Sequence, residues 1–299
     1  MFLSIGSIVV DDIVLPDGQT RMGVLGGGAT HAAMGMRVWS EKVGLLAALG
    51  KDLREADRLV LGRAVDLCGP ARPGAPAPRA WQLYEPDGRR THVDRTDPSH
   101  FTAMCPRPEE LPAEYAGAFG VRLECEAPDP LREWMARLGA GGSARILWEP
   151  WNSFCRPENR AVFDAVAPLL DVFSPNLGQA RRLTGLEDPR RILIALLDAG
   201  VRVVVLRMGE TGSLVAARGG MPAAVPAVPV PRVVDVTGAG NAYCGGFLVG
   251  LAETGDLAEA GRYGAVSASF ALEQFGALFP LDDLRARAER RLGAMAIRT

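Results

Sequence analysis

The chain has 299 residues, 48% hydrophobic and 23% charged, enough for one large α/β core. Its net charge of −2 offers no basic field for nucleic acid or an anionic membrane surface. No apolar run reaches the roughly 18 residues of a membrane span, and five scattered cysteines without a Cys-x-x-Cys pair read as reduced thiols of a cytoplasmic protein. The two lysines, Lys42 and Lys51, form no Gly-Lys-Ser/Thr motif, which excludes a P-loop.

In chain order, Phe2 to Val10 reads as a buried strand ended by Asp11 and Asp12. Ile13 to Val24 alternates weakly around Pro16-Asp17-Gly18, as in a two-stranded flap. Gly26-Gly27-Gly28 leads into a helix from about Thr30 to Trp39. Val43 to Leu49 is a second buried strand, Arg54 to Leu67 an amphipathic helix, and Gly69 to Pro78 a breaker-rich linker. Trp81–Tyr84 and Thr91–Asp94 flank the turn Glu85-Pro86-Asp87-Gly88-Arg89-Arg90 and predict a hairpin. Segments 12–24 and 81–94 together predict a small β flap interleaved with the main domain.

Beyond the hairpin the chain alternates. Strands are predicted over Phe119–Leu123, Ile146–Trp148, Val172–Ser174, Val201–Arg207 and Leu214–Ala217, and helices over Pro130–Leu138, Pro157–Leu169, Leu177–Thr184 and Pro189–Ala199. That alternation predicts an α/β fold, a mostly parallel sheet with helices on both faces. Ala216 to Pro231 reads as a strand edge and surface loop. The extended approach through Val233 and Val234 breaks at Gly238-Ala239-Gly240, and Ala242 to Leu251 then reads as a helix. Asp256–Phe275 and Leu281–Leu292 complete the helical C-terminal part.

A Gly-rich turn opening a helix leaves backbone N–H groups unpaired at the positive end of the helix dipole, which makes an anion site. After the second glycine, a phosphotransferase built this way would want a carboxylate to take the proton of the attacking hydroxyl. Here that position holds an amide, Asn241.

The segment Asp235-Val236-Thr237-Gly238-Ala239-Gly240-Asn241 resembles the C-terminal signature of the PfkB (ribokinase-like) carbohydrate kinases, Asp-x-x-Gly-Ala-Gly-Asp. It resembles in particular a branch that carries Gly-Ala-Gly-Asn. Other segments follow in family order. Gly6 to Asp11 resembles the opening strand. Gly26 to Ala33 resembles Gly-Gly-x-x-x-Asn-x-Ala, with His31 in place of Asn. Ser174 to Gly185 resembles Asn-x-x-Glu-x-x-x-Leu-x-Gly, with Gln179 in place of Glu. Val203 to Leu214 resembles the strand–turn near ATP, and Ser267 to Gly276 the helix and turn lining the adenine pocket. Trp148-Glu149-Pro150-Trp151 stands where many members have Asp-Pro after a strand.

The resemblance implies one ribokinase-like domain over 1–299 and ATP-dependent phosphorylation of a hydroxyl on a sugar, nucleoside or related small molecule. Gly238, Ala239, Gly240 and Asn241 would form the catalytic turn. Asp11, Gly27, Gly28 and His31 would hold the acceptor. Asn176, Arg207, Gly209, Gly212 and Gln274 would face the nucleotide. Asp235 would bind a monovalent cation such as K⁺, and Gln179 would stand in the Mg²⁺ water shell. The resemblance also allows a homodimer. With amides at 179 and 241, two alternatives stay open: a catalytically impaired relative that senses nucleotide or sugar, and a different transfer reaction in the same pocket.

Overall fold

The computed structural model of the chain describes residues 1–87, 89–139 and 145–295. Gly88 of the expected hairpin turn, and residues 140–144 and 296–299 of the expected domain, lie outside the described residues. Among these residues the strands are β1 (Phe2–Ile5), β2 (Val9–Val14), β3 (Thr20–Gly26), β4 (Val43–Leu46), β5 (Asp66–Cys68), β6 (Arg79–Tyr84), β7 (Arg90–Asp94), β8 (Gly120–Leu123), β9 (Arg145–Trp148), β10 (Val172–Phe173), β11 (Val203–Arg207), β12 (Ser213–Ala217) and β13 (Ala223–Val225). The α-helices are α1 (Gly28–Arg37), α2 (Glu55–Ala64), α3 (Pro98–Met104), α4 (Asp129–Gly139), α5 (Arg160–Val166), α6 (Leu177–Thr184), α7 (Pro189–Asp198), α8 (Ala239–Thr254), α9 (Leu257–Ala271) and α10 (Leu284–Ala294).

A nine-stranded sheet runs β13-β12-β11-β10-β9-β8-β1-β4-β5. It is parallel from β11 to β5, and β12 is antiparallel to both its neighbours. Successive side chains of its strands enter opposite cores, as strand geometry requires. Leu147 and Val205 join Met34 and Met36 of α1, Phe247 of α8 and Phe270 of α9 on one face. Their neighbours Ile146, Trp148, Val204 and Leu206 join Trp134 of α4, Phe163 of α5, Leu183 of α6 and Leu196 of α7 on the other. Both faces are covered, which explains why these strands read as continuous apolar runs. Among the described residues no helix is long and apolar enough to cross a membrane.

A second sheet, β3-β2-β6-β7, corresponds to the expected flap, with strands reaching slightly beyond the expected bounds of 12–24 and 81–94. The single strand expected over Phe2 to Val10 is divided between the two sheets. The chain leaves β1 at Ile5, turns at Gly6 (φ 155°), and re-enters as β2. Asp11 and Asp12 therefore lie inside a strand instead of ending one. Asp12 is buried there, accepting from Gly23 N and paired with Arg95. No regular strand precedes the Gly238 turn. Val234 N instead donates to the carbonyl of Leu272 (2.7 Å), tying this loop to the end of α9. The short elements β5, α3 and β13 carry too few residues to show a period.

Helices α1 and α8 approach so closely that glycine is required on both. A Cβ at Gly35 would sit 2.1 Å from the carbonyl oxygen of Ala242, and one at Gly245 would sit 2.1 Å from that of Ala32. This contact fixes the start of α8 against the helix that carries His31. Gly245→Val should therefore destabilise the protein by about 3 kcal/mol, at the upper end of overpacking costs. Chemical denaturation would measure the change, and an unaltered midpoint would show that the helices do not meet in this way.

Candidate active site

A cavity of about 970 Å³ opens between the carboxyl ends of the parallel strands and the small sheet. Residues just past β8, β9 and β10 (Glu124, Glu149, Asn176), together with Arg207 at the end of β11, line one side. Ligands of open α/β sheets bind at this end of the strands. Asp11, Gln82, Arg90, His92 and Asp94 line it from the small sheet.

The Gly238 turn forms its floor. Gly238 is left-handed (φ 77°) and caps α8, and Gly238, Ala239, Gly240 and Asn241 all line the cavity. The first helical bond runs from Ala242 N to Gly238 O (2.9 Å), so the amides of Gly240 and Asn241 take no helical carbonyl. A Cβ on Gly238 would lie 2.1 Å from the His31 ring, so the imidazole lies directly against the turn. His31 is buried and its Nε2 has no partner. Burial holds its pKa down at about 4, against a partial pull upward from Asp235, so the ring is neutral near pH 7.

Beside the turn sits a buried ionic cluster. Glu149 Oε2 accepts from Arg122 Nε (3.0 Å), Arg122 Nη2 (2.6 Å) and Asn241 Nδ2 (3.0 Å), and its Oε1 is ion-paired with Arg207 Nη2 (2.7 Å). Burial alone would raise the Glu149 carboxyl, but Arg207 and Arg122 outweigh it and hold the pKa at about 2. Arg122 is fully buried and also reaches Glu124 Oε2 (3.0 Å). Arg207 Nη1 lies where a Gly240 Cβ would be, its Nη2 also donates to Ser174 O (2.8 Å), and its Nε is buried without a partner.

Asp11, Gly27, Gly28 and His31, the residues expected to hold an acceptor, all line the cavity. A Cβ on Gly28 would lie 2.5 Å from Glu124 Oε2, so a second carboxylate stands against this glycine. Asp11 is buried and accepts from Gln82 Nε2 (2.8 Å). Gln82 Nε2 also donates to His92 Nδ1 (2.9 Å), and His92 Nε2 donates to Asp94 Oδ1 (2.8 Å). This chain crosses the small sheet from a buried carboxylate to an exposed one. Burial raises the Asp11 pKa to about 6, opposed by the Gln82 bond. Phe101 and Trp151 meet edge to face (5.2 Å between centroids) on the cavity wall.

Asn176, Arg207, Gly209 and Gly212 also line the cavity. Gln274 does not; its amide turns to the carbonyl of Gly276, and Ala268, Ser269 and Leu272 form that wall instead. Gln179 lines the cavity with its amide already committed. It forms a capping box with Asn176 (2.8 and 2.9 Å) and donates to Pro150 O and Asn152 Oδ1 (both 3.1 Å). Any place in a Mg²⁺ water shell would fall to an amide that already has this structural role. Asp235 lies behind the turn, buried. Its Oδ1 accepts from the Tyr84 hydroxyl (2.5 Å) and Thr237 N (2.8 Å), while Oδ2 is buried without a partner. That orphaned oxygen fits a monovalent cation. Among the described residues no group of three or more His, Cys, Asp or Glu side chains gathers to hold a metal ion.

Sequence reasoning assigned no site role to Glu149, Arg122, Glu124, Gln82 or Tyr84. Glu149 carried a signal, since it directly follows the apolar strand Ile146–Trp148. Arg122 stood inside an apolar strand, and that placement alone required a buried partner. Gln82 and Tyr84 offered nothing beyond strand alternation.

The model of the pfkB family carbohydrate kinases matches residues 149–284. A cytidine kinase of Thermococcus kodakarensis is 27% identical over 274 residues, covering 91% of this chain and 96% of that protein. Adenosine kinase from Sinorhizobium meliloti superposes with a TM-score of 0.78 at 23% identity, over 97% of this chain and 98% of that one. A putative ribokinase II from E. coli, solved with ATP and Mg²⁺, does so with a TM-score of 0.77 at 18% identity, over 97% and 99%. The fold is therefore ribokinase-like. Its C-terminal part matches the pfkB carbohydrate kinase family, and the chain is similar along most of its length to small-molecule kinases.

Two outcomes follow from the site geometry. The native pKa of Asp11 exceeds the ordinary 3.8, so the folded state holds its proton more tightly than the unfolded one. Stability falls as pH rises from about 4 to about 6, and the burial penalty is complete above that. Asp11→Asn should stabilise the protein at pH 8 by on the order of 2 kcal/mol, with the gain vanishing near pH 3. The same change should weaken acceptor binding about ten- to a hundredfold. Denaturation at the two pH values, beside acceptor KM, checks both halves.

Tyr84 joins the small sheet to the turn, its hydroxyl also meeting Thr237 Oγ1 (3.0 Å) and Val236 N (3.2 Å). Tyr84→Phe should raise the KM for both substrates about tenfold, the cost of one charge-assisted hydrogen bond. Unchanged KM values would show that this bond does not hold the cavity closed.

Proposed function

We propose that the chain catalyses ATP-dependent transfer of a phosphoryl group to a hydroxyl of a sugar, nucleoside or related small molecule. The observation that carries this reading is the start of α8, whose unclaimed Gly240 and Asn241 amides open onto the same cavity as Asp11 and His31. Those amides and the helix dipole suit the charge that develops on a transferred phosphoryl group. Arg207, with its Nε unpaired, would add a charged donor on the nucleotide side.

At the opposite end, a carboxylate can accept from two hydroxyls of a diol, which suits Asp11 and Glu124 to polyol recognition. Neutral His31 can give or take one further hydrogen bond, and from its place against Gly238 it would set the acceptor hydroxyl beside the anion site. Asn176, Gly209 and Gly212 would border the nucleotide. Mg²⁺ would be held chiefly by the nucleotide phosphates and water, since Gln179 is committed elsewhere, and it would neutralise phosphate charge. A monovalent cation would sit at Asp235 Oδ2. The relatives with assigned names are kinases, which favours turnover over a binding-only role.

A screen of ATP consumption against sugars and nucleosides, with ATP binding followed in parallel, tests the reading. Gly240→Val would put its Cβ 2.1 Å from Arg207 Nη1 and fill the space that phosphate must enter. ATP affinity should fall by about a hundredfold or more as charge-assisted bonds are lost. An unchanged affinity would place the nucleotide elsewhere.

A further inference from the structure

The structure has a carboxylate beside the Gly238 turn, just past a strand and not on the helix. Glu149 immediately follows β9, lines the cavity, and has Oε2 3.0 Å from the Nδ2 of Asn241. Asn241 Oδ1 takes no hydrogen bond from any described residue and is not sealed from solvent, so one amide edge is bound to Glu149 and the other is free for a ligand. The two oxygens of Glu149 are unequally used. Oε2 accepts three hydrogen bonds, whereas Oε1 meets only the ion pair with Arg207 and keeps lone-pair capacity. Arg207 in turn has donors to spare at the anion turn, because Nε is buried without a partner and Nη1 meets no acceptor while lying against Gly240.

We propose that Glu149 is the proton-accepting carboxylate of the transfer site, made available as Arg207 turns part of its donor set to the transferred phosphoryl group. The assignment rests on the kinase reading above. In the step, the acceptor hydroxyl oxygen bonds to the γ-phosphorus. The bond from that phosphorus to the bridging oxygen of ADP breaks, with its electron pair leaving on ADP. The hydroxyl proton passes to Glu149 Oε1. Asn241 Oδ1 orients the same hydroxyl, and its Nδ2 holds the carboxylate in register.

A carboxyl held at about 2 is ionised at every working pH and is a weak base. A loose phosphoryl-transfer transition state demands little of a base, since the proton leaves late. Drawing Arg207 toward phosphate removes part of the interaction that keeps the carboxyl low, and so strengthens the base as the reaction proceeds. The same geometry argues against a second carboxylate at 241. It would stand about 3 Å from Glu149 Oε2, where like charges disfavour joint ionisation.

The test compares wild type, Glu149→Gln, Asn241→Asp and the exchange Glu149→Gln/Asn241→Asp, each with ATP and an accepted substrate. The exchange keeps the charge of the cluster and the hydrogen bond between the two side chains, with donor and acceptor reversed. Glu149→Gln should lower kcat about 10²–10⁴-fold, with both KM values within about threefold, a split that a loss of packing would not give. Asn241→Asp alone should be slower than wild type. The exchange should run at least about tenfold faster than Glu149→Gln or, if that single variant does not fold, within about tenfold of wild type.

Turnover in Glu149→Gln within threefold of wild type overturns the assignment and leaves the kinase reading intact. So does a folded exchange variant that shows no recovery. Wild type silent with every acceptor overturns the kinase reading and this assignment with it.

Discussion

The buried Glu149 carboxylate and the two arginines on it constrain everything around them. Arg122 has no solvent exposure, and a guanidinium in that position persists only with counter-charge and filled donors. Glu149 supplies the charge. In doing so it ties β8, β9 and β11 to the first turn of α8, because Arg122, Arg207 and Asn241 come from those elements. Removing one partner from a buried pair of this kind costs on the order of 3–5 kcal/mol, mostly the penalty of the charge left behind. The cluster fixes the relation between the sheet and the anion turn, which helix packing alone would leave to the α1–α8 contact.

The small sheet meets this rigid base through two polar chains with different tasks. One runs from Asp11 through Gln82 and His92 to Asp94 and orients a carboxylate that burial would otherwise neutralise. The other is the Tyr84 hydroxyl on Asp235, which burial and the neighbouring carboxylate hold un-ionised, with a pKa raised to about 12. A tyrosine that stays protonated remains a donor, so the sheet is fastened to the loop that carries the turn. The ends of the cavity proposed for acceptor and nucleotide are thereby joined through one loop, residues 235–238.

Much of this was legible in the sequence because it rests on local rules. The alternation of strands and helices, the hairpins of the small sheet, and the glycine turn before α8 each have a period or turn chemistry that a single segment displays. The failures share one cause. Ile5 and Val9 both read as strand, and only the turn at Gly6 assigns them to different sheets. Gln179 looked like a remnant of a metal-site acid, yet its amide is spent on Asn176, Pro150 and Asn152. Gln274 lay on the expected helix, but the chain ends α9 at Ala271 and turns its amide to Gly276. Arg122 and Glu149 are 27 residues apart, and no local pattern announces that they touch.

The amides at 179 and 241 also take on a different meaning in three dimensions. Read along the chain they look like losses, two acidic positions gone from a site that handles phosphate. In the structure each amide donates to an oxygen that a carboxylate in its place would repel: Gln179 to the Pro150 carbonyl, Asn241 to Glu149. Both acceptors belong to the Glu149-Pro150 turn after β9. An acid at 149 and donors at 179 and 241 are therefore one arrangement. Arg122 and Arg207 clamp the Glu149 carboxylate, and Arg122 also pairs with Glu124. Among the described residues Arg207 keeps Nε and Nη1 unpaired on the side proposed for phosphate, while Asp11 and Glu124 stand on the side proposed for the acceptor. On the proposed function, that arrangement would orient a substrate pair with phosphate at one end and hydroxyls at the other before any residue acts on either.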